Sequence, residues 1–194
     1  IWHTIYKKFF RMDSMKNNKQ SLNVELIENF KSGELHELCK STEEAILSGI
    51  GFSWINPPPR QQLENYWKGV LIVPSRSLLI GTLDGVVAGS LQLVFPLKSN
   101  ESSSFSASID THFVAPWARG KGLAKMLLES GEELARSRSF SQIILEVRET
   151  QKRAIRVYES AGYTRWGTLP TYHIVGKEKI SGYFYYKNIS KELD

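Results

Sequence analysis

A chain of 194 residues with 41% hydrophobic and 11% aromatic side chains carries enough apolar material for a packed core, which excludes a disordered or fibrous protein. Its single cysteine, Cys39, excludes an internal disulfide and a thiolate-built metal site, and no apolar run approaches the roughly 18 residues of a membrane-spanning helix. The net charge of +5 gathers in residues 1–20, where Lys7, Lys8, Arg11, Lys16 and Lys19 stand against Asp13, so the remainder lacks the broad basic face of a nucleic-acid binder.

These features predict a cytoplasmic protein with no membrane span and no nucleic-acid partner, and the sequons at Asn100 and Asn188 read as chance. Residues 1–20 form a basic, amphipathic extension that is disordered, a docking segment or an organellar targeting signal, and a nucleic-acid binder would use it. Residues 21–194 read as one domain, monomeric or homodimeric.

In chain order, Ser21 to Glu28 predicts a strand and Gly33 to Ser48 a helix with Leu35, Leu38, Cys39 and Ala45 on its buried stripe. Phe52 to Pro59 ends in three prolines and is an aromatic loop containing Trp54. A second helix is expected over Arg60 to Trp67. Ser77 to Thr82 and Val86 to Phe95 are β-branched runs joined by Leu83-Asp84-Gly85, the signature of a hairpin. Ser106 to Val114 is a strand that enters Ala115-Pro116-Trp117-Ala118-Arg119-Gly120-Lys121-Gly122-Leu123-Ala124, and a helix follows through Arg136. Ile143 to Val147 is the next strand, which makes a parallel βαβ crossover. Lys152 to Ser160 is helical with Ala154, Val157, Tyr158 and Ala161 on one face, and Gly162 ends it. Two late strands, Tyr163 to Gly167 and Gly182 to Lys187, flank a loop with Pro170, Tyr172 and His173. The predicted class is α/β: a mixed central sheet with an antiparallel N-terminal meander and a parallel βαβ crossover.

The turn at Arg119 to Ala124 has a physical use. Glycines without Cβ let an oxygen-rich ligand reach the main chain, and a helix N-terminus presents unpaired N–H groups at its positive dipole end. Arg119 and Lys121 add charge suited to a phosphate. Ordinary strand-to-helix turns look the same, so the turn alone leaves both readings open. Phosphate-loop and nucleophile-elbow motifs are absent, and His3, His36, His112 and His173 lack metal-ligand spacing, so no metal is expected.

Two ordered segments carry a resemblance. Arg119-Gly120-Lys121-Gly122-Leu123-Ala124 resembles the pyrophosphate loop of the GNAT superfamily of acyl-CoA N-acyltransferases. Leu145-Glu146-Val147-Arg148, followed by Ala154, Tyr158 and Gly162-Tyr163, resembles a second motif of that family. Gln151 departs from the usual asparagine, and His112 stands where an aliphatic residue is usual. The resemblance spans about Ser77 to Lys187 and implies strands splayed between Val114 and Leu145, with acetyl-CoA as co-substrate in the split. Phe113, Val114, Arg119, Gly120, Lys121, Gly122, Leu123, Ala124 and Gln151 are the implied cofactor-binding residues.

Acetyl transfer to a lysine-like amine, with a pKa of about 10.4, needs a group to take a proton. Glu146, mid-strand among apolar neighbours, is the expected base, because burial there would strengthen it; Asp110, His112 or water are the alternatives. Tyr158 is the expected general acid for the thiolate, though its spacing also suits a core tyrosine. A backbone N–H at Val114 or its neighbour would hold the oxyanion. Trp54, Tyr172 and His173 are the substrate-side candidates. The expected activity is direct N-acetylation of a small-molecule amine, with a protein N-terminus or lysine, or a non-catalytic CoA-binding module, as alternatives.

Overall fold

The structure, a computed structural model, describes residues 20–49, 52–97 and 99–190. The expected docking or targeting segment falls on residues 1–19, outside the described residues. Asp84 and Gly85, at φ 52° and 83°, supply the two left-handed positions of a tight hairpin turn. They join β2 (Arg76–Leu83) to β3 (Val86–Val94), and β1 (Leu22–Ile27) and β4 (Ser106–Val114) pair antiparallel on either side. From β4 the chain crosses through a helix to β5 (Gln142–Arg148), which runs parallel to β4. The late strands β6 (Thr164–Val175) and β7 (Glu178–Asn188) complete a seven-stranded sheet of order β1-β2-β3-β4-β5-β7-β6.

Helices cover both faces. On one lie α1 (Glu34–Leu47) and α2 (Arg60–Ile72), where Leu38, Leu63 and Trp67 are fully buried and the Trp67 indole N–H donates to Thr42 Oγ1 at 3.2 Å. On the other lie α3 (Leu123–Ser137) and α4 (Lys152–Ser160). Leu123, Leu127, Leu128, Leu134 and Ala135 bury one stripe of α3 at helical spacing, the pattern that fixes which side meets the sheet. Burying each such leucine contributes roughly 1.5–3 kcal/mol.

The predicted mixed sheet and crossover are present, with two differences. The second helix continues beyond Trp67 to Ile72. The late strands are far longer than expected, so Pro170, Tyr172 and His173 sit within β6 and not in a loop. Pairing with β7 is interrupted between Leu169 and His173, at the proline that has no N–H to give the ladder.

One irregularity opens the sheet. β4 pairs β5 only through Ser106–Ser108 against Gln142–Ile144, and beyond this the strands part. The register of β4 against β3 shifts between Ser90 and Gln92, opposite Thr111, a non-glycine residue at φ 43°. A bulge of this kind bends its strand, and such a conformation costs about 1–3 kcal/mol unless held. Three hydrogen bonds hold it: Gln92 Nε2 donates to Thr111 Oγ1 (2.6 Å), Ser90 Oγ to Thr111 O (3.2 Å), and Thr111 N to Asp110 Oδ1 (2.7 Å).

Candidate active site

The parting of β4 and β5 makes two grooves that meet at His112, Gln151 and Ala154. One, of about 940 Å³, is lined by Val114, Arg119, Gly120, Gly122, Leu123 and Ala124. Gly120 and Gly122 take φ of 78° and 95°, and no side chain caps α3, so the N–H groups of its first turn face this groove. Ala115 N donates to Ala88 O on β3, and Phe113 O also faces β3, against Gly89. Strand alternation therefore turns the N–H and C=O of Val114 to the opposite side, the split, where Arg119 Nε donates to Val114 O at 3.1 Å.

The cations differ from the sequence expectation. Lys121 turns away, its ammonium 2.6 Å from Gln20 Oε1, and does not line the groove. Arg119 is held by Val114 O and by Ser48 Oγ at 2.6 Å, and burial beside Arg153 lowers its pKa. Lys152, Arg153 and Arg156 line the groove with positive charge, and Lys125 does so from an ion pair with Glu129 at 3.6 Å. For Lys152, Arg153 and Arg156 the signal was the i, i+3 and i, i+4 spacing along the polar face of α4. Gln151 lies at the start of α4 and its amide donates to Gly49 O at 2.7 Å.

The second groove, of about 560 Å³, has Ile144, Glu146 and Arg148 of β5 and Phe184 of β7 as its floor. Trp166, Tyr172 and His173 wall it. The Tyr172 ring lies directly on Gly182, where a Cβ would collide with it. Trp54 is elsewhere: it packs against Phe52 (5.9 Å between centroids) and Tyr66 (5.2 Å) and lines an adjoining hollow of about 500 Å³.

Glu146 is exposed, contrary to the expected burial. Only one face of β5 packs on helices: the α1–α2 cluster draws on β1 to β4 and not on β5, so alternation leaves Ile144, Glu146 and Arg148 on the open face. The pKa of the Tyr172 phenol is raised, by burial first and then by the nearby Glu146 carboxylate. Asp110, the rival base, is ion-paired to Arg76 at 3.0 Å. Burial and Arg148 lower the pKa of His173.

At the junction, Tyr158 is buried and burial raises its pKa. Its hydroxyl lies 3.0 Å from His112 Nδ1, and His112 Nε2 lies 2.9 Å from Ala124 O. A carbonyl only accepts, so Nε2 carries the hydrogen and bare Nδ1 accepts from the phenol. Burial pushes the His112 pKa down to about 4, which keeps the ring neutral near pH 7. Spacing could not show that these two residues, 46 positions apart, would pair. Among the described residues no group of His, Cys, Asp or Glu could hold a metal, and no helix is long and apolar enough to cross a membrane.

This geometry has counterparts. The family model described as the acetyltransferase (GNAT) family matches residues 34–163. An N-acetyltransferase from the hisH-hisA intergenic region of Azospirillum brasilense is 49% identical over 142 residues, covering 71% of this chain and 84% of that protein. A mycothiol acetyltransferase of Stackebrandtia nassauensis is 42% identical over 60 residues, which is 31% of this chain and 20% of that protein. Among solved structures, a ribosomal-protein-alanine N-acetyltransferase from Brucella melitensis superposes with a TM-score of 0.72 at 19% identity, covering 86% of this chain and 99% of that one. A phosphinothricin acetyltransferase from Sinorhizobium meliloti in complex with acetyl-CoA superposes at 0.71 and 16% identity, covering 88% of each. At such identities the two structures show a shared fold, and a shared fold does not choose an acceptor.

Proposed function

The chain belongs to the GNAT acetyltransferase family and is an N-acetyltransferase, and from that premise we propose that it moves an acetyl group from acetyl-CoA to a small-molecule primary amine by direct attack. The observation that carries this reading is the meeting of two unlike grooves at the His112–Tyr158 pair: one cationic and lined by backbone N–H groups, the other small, aromatic and bearing Glu146.

The residues of the larger groove fit the co-substrate. Gly120, Gly122, Leu123 and Ala124 present main chain to a pyrophosphate, and Lys125, Lys152, Arg153 and Arg156 surround it with charge. Val114, with its peptide groups turned into the split, and Phe113 beside it suit the pantetheine arm, and Gln151 borders both grooves. Bound there, acetyl-CoA supplies the activated acetyl carbon that the amine attacks, with a thiolate as leaving group.

The chain's own residues then manage charge and protons. The Val114 N–H is placed to stabilise negative charge on the carbonyl oxygen. Glu146, open to the acceptor groove, takes the proton that the amine loses, directly or through water. Tyr158 donates its phenolic proton to the departing sulfur, turning its O–H away from His112 Nδ1 to do so. Holding amine and thioester together supplies most of the acceleration. No covalent enzyme intermediate is required.

A small acceptor suits a groove of about 560 Å³ closed by the β6–β7 strands, which is the size of an ordinary small-molecule pocket. Residues 21–194 act as one transferase domain in this reading, because a single sheet runs from β1 to β7. The test is thermal stabilisation by acetyl-CoA, followed by a thiol-release screen over amines. The expected result is a clear upward shift in Tm and turnover with at least one small amine. Absence of any shift at millimolar acetyl-CoA would count against the reading.

A further inference from the structure

The acceptor groove carries charge that the proposed reaction does not use. Two arginines and two carboxylates line it: Arg76, Arg148, Asp110 and Glu146. Arg76 and Asp110 neutralise each other at 3.0 Å. Glu146 and Arg148 do not: they make no ion pair with each other or with any other described residue. The group that Glu146 influences beside it is an uncharged one, the Tyr172 phenol. Arg148 donates through one terminal nitrogen to the backbone carbonyl of Phe52.

A guanidinium has five N–H donors in a planar fork shaped for a carboxylate, so a single carbonyl leaves most of Arg148's capacity unspent. The group is half-buried, and burial disfavours its charge. Keeping an uncompensated cation in a partly desolvated groove is costly unless an anion arrives there.

Position says which anion. Arg148 and Glu146 are two residues apart on β5 and project from the same face, their Cα atoms about 7 Å apart along the strand. Arg148 sits opposite Gly182, and the Tyr172 ring rests on that glycine, so the guanidinium and the aromatic wall share one end of the groove. Phe184, opposite Glu146, contacts both Trp166 (5.7 Å) and Tyr172 (5.8 Å) and forms an apolar floor between the charges. The groove thus offers one carboxylate and one guanidinium that have no ionic partner among the described residues, and an aromatic surface.

We propose that the acceptor is a free amino acid with an apolar side chain, its carboxylate forked by Arg148, its amine presented beside Glu146, and its side chain against Trp166, Tyr172 and Phe184. This rests on the transferase reading above and narrows its acceptor from any small amine to a zwitterion.

The test compares apolar L-amino acids, such as phenylalanine and leucine, with the amines and amides that lack the carboxylate, on wild type and Arg148→Gln. Wild type is expected to prefer each acid by about 100-fold in kcat/KM, and Arg148→Gln to lower that ratio towards one by losing far more on the acids than on the analogues that lack the carboxylate. A residue that merely staples Phe52 would lower activity on both sets equally and leave the ratio unchanged, which overturns the proposal. Equal wild-type turnover of acids and analogues, or turnover of the analogues alone, overturns it too. If acetyl-CoA stabilises the protein yet neither set is acetylated, the amino-acid acceptor falls and the transferase reading stands. If acetyl-CoA does not bind, that reading falls first.

Discussion

The hydroxyl of Tyr158 points its proton at Nδ1 of His112, 3.0 Å away, because Nε2 of the same ring is committed to the carbonyl of Ala124. A neutral buried imidazole therefore holds the phenol in one rotor position at the junction of the two grooves.

Tyr158→Phe keeps the ring packed against Tyr163 and Tyr185 and removes only the hydroxyl, the proposed acid. Expected is a fall in kcat of about 10²–10³-fold with acetyl-CoA affinity nearly unchanged. Stability should also fall, by about 1–3 kcal/mol, since His112 Nδ1 is left buried without a donor. Steady-state kinetics, calorimetric binding and urea unfolding read the three quantities. Full retention of kcat would remove Tyr158 from the chemistry.

His112 also predicts how stability depends on pH. Its folded pKa of about 4 lies below the unfolded value of 6.5, so the unfolded chain binds the proton more readily. The stabilising contribution is present above pH 6.5 and is lost as pH falls from 6.5 towards 4. Between pH 7 and pH 5 this amounts to about 2 kcal/mol. His112→Gln should flatten the unfolding free energy by that amount over that interval; an unchanged slope would mean that the imidazole is protonated in the fold.

How much of this was legible beforehand follows from which signals are local. The Asp84-Gly85 hairpin, the glycine turn and the β4-to-β5 crossover are written in short-range chemistry and periodicity, and they appear where expected. The extent of β6 was hidden: nearly every residue of Thr164–Val175 is exposed or half-exposed, so no alternation marks it, and Pro170 reads as a break. Glu146 looked buried because its sequence neighbours are apolar, but whether a strand face is covered depends on the helix layer above it, and the α1–α2 layer stops short of β5. Lys121 failed for a related reason. A motif fixes the backbone of the turn, while the direction of a long side chain is decided by distant partners such as Gln20.

The glycine turn can be separated from ordinary backbone strain. Gly122 holds φ 95° and an added Cβ would meet only Leu22 Cδ1, at 3.9 Å, so Gly122→Ala introduces strain of roughly 1–2 kcal/mol and a methyl group at the cradle without a clash. Acetyl-CoA affinity is expected to drop at least about tenfold, with Tm lower by about 3–6 °C. Gly85→Ala, at φ 83° in the β2–β3 hairpin, should cost similar stability and leave affinity intact. Equal affinity loss in both variants would assign the effect to the fold and not to the cradle.

Glu146→Gln tests the base through the pH profile of the loss and not its size alone. Near pH 7 an acceptor amine is mostly protonated, and a glutamine at this position accepts a hydrogen bond but takes no proton. The variant should therefore lose about 10²-fold in kcat/KM at pH 7, with stability changed little because Glu146 is exposed and unpaired with any cation. As pH rises towards the amine's own pKa a growing share of it arrives neutral, and the deficit should shrink towards tenfold or less. A loss constant across pH would mean that Glu146 orients the acceptor electrostatically, whereas no loss at any pH would pass the proton to water, since Asp110 is held by Arg76 and His112 by Tyr158 and Ala124.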